Sequence, residues 1–571
     1  MNNYKDTPEL KARMNSPLME RIVELKENFY TEAEKYDYAP AGFADAMDNF
    51  DRVLELTGSV CDEVIAPNAE AVDREGSHCS GGRVQYSAGT ARNLKVMHQA
   101  GMSGFGLPRQ YGGLNMPVTV FSAVCEMISR ADASFQNVWG LQSCADTINE
   151  FGSLEQREKY LRMASEGATM SMDLTEPDAG SDLQSVMLKA TEDPENGCWR
   201  LNGVKRFITN GDSDIHLVLA RSEEGTSDGR GLSLFIYDKR DGGVNVRRIE
   251  DKMGIHGSPT CELVFNNAKA ELCGERRLGL IKYVMSLMNG ARLGIATQSV
   301  GIQDAAWREA VEYAAERRQF GRTIDTFPAV YQMLAVMKAK IEASRSLLYE
   351  TSRYVDIYKS LDAIAKTRTL TAEERQESRR YSRLADALTP IAKGMTSEFA
   401  NQNTYDSIQI HGGSGFMRDY ACERLYRDAR ITSIYEGTTQ LQVVAALRYV
   451  TGGVYSRFVK DMLVTLPDSA ARQAISDMVA RLDEMTAHVT DQKKTEVNDF
   501  CGRRLMESAA YCVMCTLLLR DSVETPGLFD KSLKVFLDYS RSQVDGHYSV
   551  VMTWTAQSMD YYRQSLPYSR V

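Results

Sequence analysis

The sequence predicts an α+β fold: an N-terminal helical domain, a small antiparallel β-barrel domain, and a C-terminal helical bundle that runs on into a helical extension. Two observations predict it. Apolar residues recur at helical spacing from about residue 45 to 165 and again from about 279 to the end, whereas residues 168–275 break into short β-rich runs parted by Gly, Asp and Asn. Strand and helix do not alternate along the chain, which argues against a doubly wound α/β sheet. With 571 residues the chain also exceeds what one core can serve. The expected segments are a lead over 1–44, an N-terminal helical domain over 45–167, a β-domain over 168–278, a helical bundle over 279–450 and an extension over 451–571.

Each element has its own signal. Over 48–64, Phe50, Val53, Leu54, Val60 and Val64 approximate one helical face. Residues 107–113, with Pro108, Gly112 and Gly113, interrupt the helices with a loop. Asn202-Gly203 lies between Trp199-Arg200-Leu201 and Val204-Lys205-Arg206-Phe207, the pattern of a two-residue hairpin. Residues 215–220, 232–237 and 261–265 read as further strands, which a small antiparallel barrel or a sandwich accommodates. Beyond them Ala296, Val300, Trp307, Val311, Ala314 and Ala315 trace one buried stripe of a long helix. Thr371-Ala372-Glu373-Glu374 is a capping box that opens another helix, and Gly452-Gly453 marks the boundary before the extension.

Composition narrows the function classes. Hydrophobic residues make up 43% and charged residues 25%, as in ordinary globular proteins. A net charge of −10 argues against a nucleic-acid binder, which needs a clustered basic face. Eleven scattered cysteines, an odd number in a large chain, read as reduced thiols of a cytoplasmic protein. Cys512-Val513-Met514-Cys515 has the spacing of a metal or redox pair, but it sits in the apolar run 511–519 with no second pair, so helix packing is expected. The seven histidines are dispersed and no metal site is expected. The start Met1-Asn2-Asn3-Tyr4-Lys5-Asp6 has no cationic segment leading into an apolar one, so no secretory signal is expected. No run approaches the roughly 18 apolar residues that span a bilayer, so no stable membrane insertion is expected either.

Two stretches carry chemistry. Ile434-Tyr435-Glu436-Gly437-Thr438-Thr439-Gln440 offers one carboxylate beside a glycine and hydroxyl-bearing neighbours, which suits a base working against a bound cofactor. Thr175-Glu176-Pro177-Asp178-Ala179-Gly180-Ser181-Asp182 is a compact turn rich in backbone donors. Alone, each has a plainer reading: a solvated loop Glu, and a helix start with Thr as cap and Pro in the first turn. Gly412-Gly413-Ser414-Gly415 likewise lacks the strand-turn-helix context of a dinucleotide fingerprint.

Taken in order, TEPDAGSD (175–182), RFITNGD (206–212), ERRQFGR (316–322), QIHGGSGF (409–416) and IYEGTTQLQ (434–442) resemble the acyl-CoA dehydrogenase flavoprotein family, over roughly residues 45–450. The lead and the extension resemble its larger members, such as the methylthiopropionyl-CoA and long-chain types. The resemblance implies FAD as cofactor, an acyl-CoA as substrate, and α,β-dehydrogenation to the trans-2-enoyl-CoA. Glu436 would take the Cα proton, a hydride would pass from Cβ to flavin N5, and electrons would go on to electron-transfer flavoprotein. Some relatives carry the base one residue before an Arg equivalent to Arg292; here that position is Ala291, which leaves Glu436. Thr175 and Thr209 would hydrogen-bond around the flavin ring, and Ser181 would touch its pyrophosphate or the pantetheine arm. Phe207 stands where many relatives have a Trp over the flavin. Arg317, Gln319, Phe320, Gln409 and Gly413 would bind the adenylate half of FAD across a subunit boundary, so a homodimer is implied. Thr438 and Gln440 would touch the same cofactor, and Arg292, Tyr435, Gly437 and Ser181 the substrate. The base of the acyl pocket falls among Phe135, Val138, Trp139, Leu141 and Gln142, with Trp139 either shortening the pocket or serving as an ordinary core aromatic.

Two other functions compete. An acyl-CoA oxidase would use oxygen as acceptor; the ending Ser569-Arg570-Val571 is unlike a peroxisomal Ser-Lys-Leu, which disfavours the eukaryotic oxidase setting. A flavin-bearing relative associated with nucleic acid is disfavoured by the acidic chain.

Overall fold

Two compact units emerge in the computed structural model, which describes residues 2–566; Met1 and Ser569-Arg570-Val571 lie outside the described residues. One unit comprises Met1–Pro8, Pro17–Ile302 and Lys359–Leu370, the other Glu9–Ser16, Gln303–Tyr358 and Thr371–Val571. Residues 1–44 thus contribute to both.

The first unit is built around a sheet of seven strands: β1 (Met170–Asp173), β2 (Lys189–Asp193), β3 (Cys198–Thr209), β4 (Ile215–Arg221), β5 (Leu232–Asp238), β6 (Val244–Ile249) and β7 (Thr260–Cys273). Their order is β1-β4-β2-β3-β7-β5, with β6 on β7 and a β4–β5 pairing that closes the path into a barrel. The pairing is antiparallel except for β1–β4 and β2–β4, which run parallel. β4 and β5 are buried along their whole length. Val218, Ala220, Phe235 and Tyr237 fill the barrel interior. Their alternates Leu217, Leu219, Leu234 and Ile236 pack outward on Ile148, Tyr160, Leu161 and Val284 from the helical layer. Burial on both faces is why these strands read as apolar runs and not as alternations.

Asn202-Gly203 is not a hairpin. It lies inside β3, which pairs with the single partner β7 on both sides of it, from Trp199↔Ala270 to Thr209↔Thr260. The anomaly is an extra residue on β7 between the pairs Leu201↔Ala268 and Gly203↔Phe265. Asn267 there takes φ 52°, and its N–H donates to Asn202 Oδ1 at 2.8 Å. The turn that joins β2 to β3 lies upstream, where Asp193 pairs with Cys198 and Gly197 takes φ 60°. Asn196-Gly197, not Asn202-Gly203, is the turn dipeptide.

Helices of the first unit include α1 (Phe43–Val60), α2 (Val118–Ala131) and α3 (Ala133–Trp139). Phe50, Leu54 and Val60 are buried, Val53 and Val64 half-buried. The loop over 107–113 is closed by a short turn, Arg109–Tyr111, and Arg109 is buried against Glu27 at 2.6 and 2.9 Å.

Long helices make up the second unit. α4 (Met285–Glu316) enters it from residues of the first, α5 (Pro328–Ala365) begins in it and ends in residues of the first, and α6 (Ala372–His411) opens with the Thr371–Glu374 capping box. Along α4, Ala296, Val300 and Ala314 are buried and Trp307 and Val311 half-buried, but Ala315 is exposed. One residue turns a helix by about 100°, so Ala315 leaves the face that Ala314 occupies. α7 (Ala421–Ala429) and α8 (Thr439–Thr451) follow; Gly452 and Gly453, the latter at φ 65°, then lead into α9 (Val454–Thr465). α10 (Ala470–Asp491), α11 (Thr495–Glu524) and α12 (Asp530–Val551) complete the extension. α11 is its axis, packed on α8, α9, α10 and α12. Cys512 and Cys515 lie at its buried centre, where burial pushes the Cys515 thiol up to about 12 and that of Cys512 up as well, so both pack as small apolar groups.

A buried charge cluster ties the ends of this unit together. Arg13 meets Glu342 at 3.0 Å and Asp521 at 3.6 Å, and Ser346 donates to Asp521 at 2.7 Å. Arg353 and Arg520 each stand 2.8 Å from Glu350. Burial opposes the charge on both glutamates, but Lys338, Arg345 and Arg13 around Glu342, and Arg520 and Arg353 around Glu350, hold each carboxyl down at about 2. Among the described residues no helix is long and apolar enough to cross a membrane, and no group of three or more His, Cys, Asp or Glu is placed to hold a metal ion.

Candidate active site

In the second unit the stretch from Ile434 to Thr438 joins a short turn after α7 to the start of α8. Thr438 caps α8, its Oγ1 accepting the Leu441 N–H at 3.3 Å. Just before it, Glu436 takes φ 54° and Gly437 φ 91°. Left-handed backbone costs a glutamate on the order of 1–3 kcal/mol, and it persists only where the surroundings over-determine it. The surroundings here are two buried donors. Lys393 Nζ from α6 and Gln442 Nε2 from α8 both donate to the Gly437 carbonyl, at 2.7 and 2.9 Å. A Cβ at residue 437 would stand 2.7 Å from that Gln442 nitrogen, so the position requires glycine on two counts. Thr439 Oγ1 donates to Glu398 Oε1 at 2.7 Å, fixing the first turn of α8 to α6. Tyr435, Glu436 and Gly437 are half-buried, and Gln440 is exposed.

The other nominated residues of this unit are open. Arg318–Gln319 and Arg322–Thr323 form a hairpin with a two-residue loop, Phe320 at φ 51° and Gly321 at φ 83°. Positive φ at both loop residues is what a type I′ turn demands. The Phe320 ring is 93% exposed, and Arg317, also exposed, has no ion-pair partner among the described residues. Gln409 and Gly413 are exposed where α6 ends, and a Cβ at Gly412 or Gly413 would meet nothing within 4 Å. A planar or phosphorylated group can therefore approach that backbone closely.

In the first unit Thr175-Glu176-Pro177 follows β1 as a turn, not as a helix start, with Glu176 and Ala179 bridging each other. Glu176 accepts the N–H groups of Met187 and Leu188 at 2.7 and 2.9 Å and meets Lys205 Nζ at 2.8 Å. Lys205 also donates to the Leu174 carbonyl at 2.8 Å; burial lowers its ammonium pKa, and Glu176 works against that. This buried pair sets the floor of the turn. Two residues on, β3 carries one extra residue between Lys205↔Leu263 and Ile208↔Cys261. The bulge throws Phe207 outward at φ 59°, with half its surface exposed and the Arg206 guanidinium 4.6 Å from its ring centre. Thr175 and Thr209 flank it half-buried, and Ser181 is exposed. The hydroxyls of all three have no protein hydrogen-bond partner among the described residues. Arg292, on α4, is half-buried beside Asn289 at 3.3 Å. An exposed aromatic ring between uncommitted hydroxyls suits the face and edge of a flat polar heterocycle such as flavin.

Trp139 is 5% exposed, stacked on Phe121 at 5.5 Å and edge-on to Phe105 at 6.2 Å, which makes it part of the helical core. Phe135 and Val138 are buried with it, Leu141 is half-buried, and the Gln142 side chain is engaged by the Phe105 N–H and the Met102 carbonyl. Sequence reasoning missed Glu176, Lys205, Lys393 and Gln442. The available signal was a lone cation in an apolar setting: Lys393 falls inside a run of α6 that is buried from Leu388 to Ser397.

Comparison with known proteins identifies the family. Four acyl-CoA dehydrogenase family models match the chain: the N-terminal domain over residues 50–168, the middle domain over 171–268, the C-terminal domain over 281–449 and the acyl-CoA dehydrogenase C terminal over 451–559. The chain belongs to the acyl-CoA dehydrogenase family. It is similar to the 3-methylmercaptopropionyl-CoA dehydrogenase of Ruegeria pomeroyi, 34% identical over 425 residues that cover 69% of each chain. A chain in the structure of the electron transferring flavoprotein of Acidaminococcus fermentans is 31% identical, with a TM-score of 0.61 over 71% of this chain and 98% of that one. The acyl-CoA dehydrogenase of Bacillus anthracis complexed with FAD, at 23% identity and a TM-score of 0.75, shares the fold over 90% of both chains.

Proposed function

We propose that this enzyme oxidises an acyl-CoA thioester to its trans-2-enoyl-CoA with FAD bound, and that Glu436 is the base. The observation that carries this reading is the Tyr435–Gly437 segment: one half-buried carboxylate, on a strained backbone, held by two buried donors. Bound FAD supplies the two-electron acceptor for the hydride that leaves Cβ. Thr175, Thr209 and Ser181 offer hydroxyls to it, Phe207 an aromatic wall, and Gln440 and the Thr438 hydroxyl proton further contacts. Glu436 removes the Cα proton, and its own backbone N–H polarises the thioester carbonyl as enolate charge develops. Arg292 engages the CoA portion.

Arg317, Gln319, Phe320, Gln409 and Gly413 reach the cofactor of a second subunit in a homodimer. The exposed Phe320 ring and the unpaired Arg317 are open to such a contact. Electrons leave to electron-transfer flavoprotein. All eleven cysteines are free thiols, which supports a reducing, cytoplasmic setting. The test is anaerobic titration of the purified flavoprotein with a panel of acyl-CoA thioesters. Bleaching of the flavin absorbance by at least one of them is expected, and a chain that binds no flavin would overturn the reading.

A further inference from the structure

We infer that Lys393 and Gln442 are positioning residues for Glu436: their two donors on the Gly437 carbonyl lock the left-handed pair from which the base is presented. The inference rests on Glu436 being the Cα base.

One carbonyl receives two donors from different helices, Lys393 Nζ at 2.7 Å from α6 and Gln442 Nε2 at 2.9 Å from α8. The same Gln442 nitrogen lies 3.5 Å from the Glu436 carbonyl, so both left-handed residues are tethered. Lys393 and Gln442 are each fully buried. An ammonium stripped of water needs acceptors in fixed places, so the lysine holds the loop as firmly as the loop holds the lysine. The extension closes this brace from solvent. Over Gly394, next to Lys393, lie the Gln442 side chain and the Met506 methyl of α11, at 3.6 and 3.5 Å from where a Cβ would stand. Val443 and Leu447 of α8 likewise lie 3.2 and 3.6 Å from where a Cβ on Gly502 of α11 would stand. The extension thereby acts on the base through α8.

Without the brace the strain at Glu436 relaxes toward right-handed backbone, which redirects its carboxylate. The CoA portion is gripped away from this loop, at Arg292, so turnover suffers far more than binding does.

The experiment uses the full-length holoenzyme and its Lys393→Met, Lys393→Arg, Gln442→Met and Glu436→Gln variants. Butyryl-, octanoyl- and palmitoyl-CoA serve as probes. Three quantities are read: the anaerobic bleaching rate at saturation, the acyl-CoA concentration at half-saturation, and deuterium incorporation at Cα in D2O. Lys393→Met and Gln442→Met are expected to slow bleaching and deuterium incorporation together by about a hundredfold, as small misplacements of a catalytic group do. Half-saturation stays close to the parent value, and Lys393→Arg recovers most of the rate. Parent rates in both brace variants, or a changed half-saturation at parent rate, would overturn the inference. If Lys393→Met loses FAD or its helical circular dichroism, the near-isosteric Gln442→Met decides. Full turnover by Glu436→Gln would fail the functional reading instead, while an inactive Glu436→Gln beside two fully active brace variants fails this inference alone.

Discussion

Glu436 and Phe320 carry nearly the same backbone anomaly, φ 54° and 51°, each followed by a glycine, yet their surroundings are opposite. At Glu436 two fully buried side chains from two helices grip the loop. At Phe320 the hairpin's own ladder, Arg318↔Thr323 and Gln319↔Arg322, sets the turn, and the ring projects into solvent. The difference teaches where the strain goes. The first loop is held from outside by the body of the helical unit, so its backbone is set by side chains distant in the chain. The second is set by its own two short strands, and its side chain stays exposed.

Substitutions test this contrast. The largest effect belongs to Glu436→Gln, which should keep FAD and lose a factor on the order of 10²–10⁴ in turnover, measured by anaerobic bleaching; no such loss removes the base from its role. Next comes the charge cluster at Arg13, the extreme case of a braced site. Arg13→Met should destabilise the helical unit by about 1.5–3 kcal/mol in chemical denaturation, because it removes one buried partner from Glu342, which keeps Lys338 and Arg345, and one from Asp521, which keeps Arg520.

The same cluster predicts acid sensitivity. Glu342 and Glu350 titrate at about 2 in the folded chain against an ordinary value of 4.5, so the stability they contribute is complete above about 4.5 and drains away as pH falls toward 2. Unfolding midpoints followed across that window should fall steadily; a flat profile would contradict it. The smallest effect is the most direct comparison. Gly321→Ala meets open space and should lose only about 1–2 kcal/mol for its left-handed backbone. Gly437→Ala meets the Gln442 amide as well, so it should lose more and slow turnover too. Equal losses would erase the distinction between the two loops.

Fold class was legible because it rests on the change of hydrophobic period, a signal averaged over many residues. The hairpin reading failed because it rested on one dipeptide. Asn-Gly occurs at both 196–197 and 202–203, and only the pairing of β3 along all of β7 tells the turn from the strand. The site residues were nominated from motifs in a fixed order. What supports them was not: Lys393 precedes Gly437 by 44 residues, and Glu176 precedes Lys205 by 29. No local pattern joins partners that meet only after folding. The positive φ of Phe207, Phe320 and Glu436 was equally hidden, since none is Gly, Asn or Asp.

Of the eleven cysteines, Cys79 is exposed and the other ten are buried. A thiol-reactive dye therefore tags the native chain at one place, near the start of a short surface strand, His78–Ser80. Each further tag marks an opening of the interior. Because Cys422, Cys501, Cys512 and Cys515 belong to one unit and the rest to the other, peptide mapping of the labelled positions times the opening of the two bodies separately, in a single reaction and without any engineered probe.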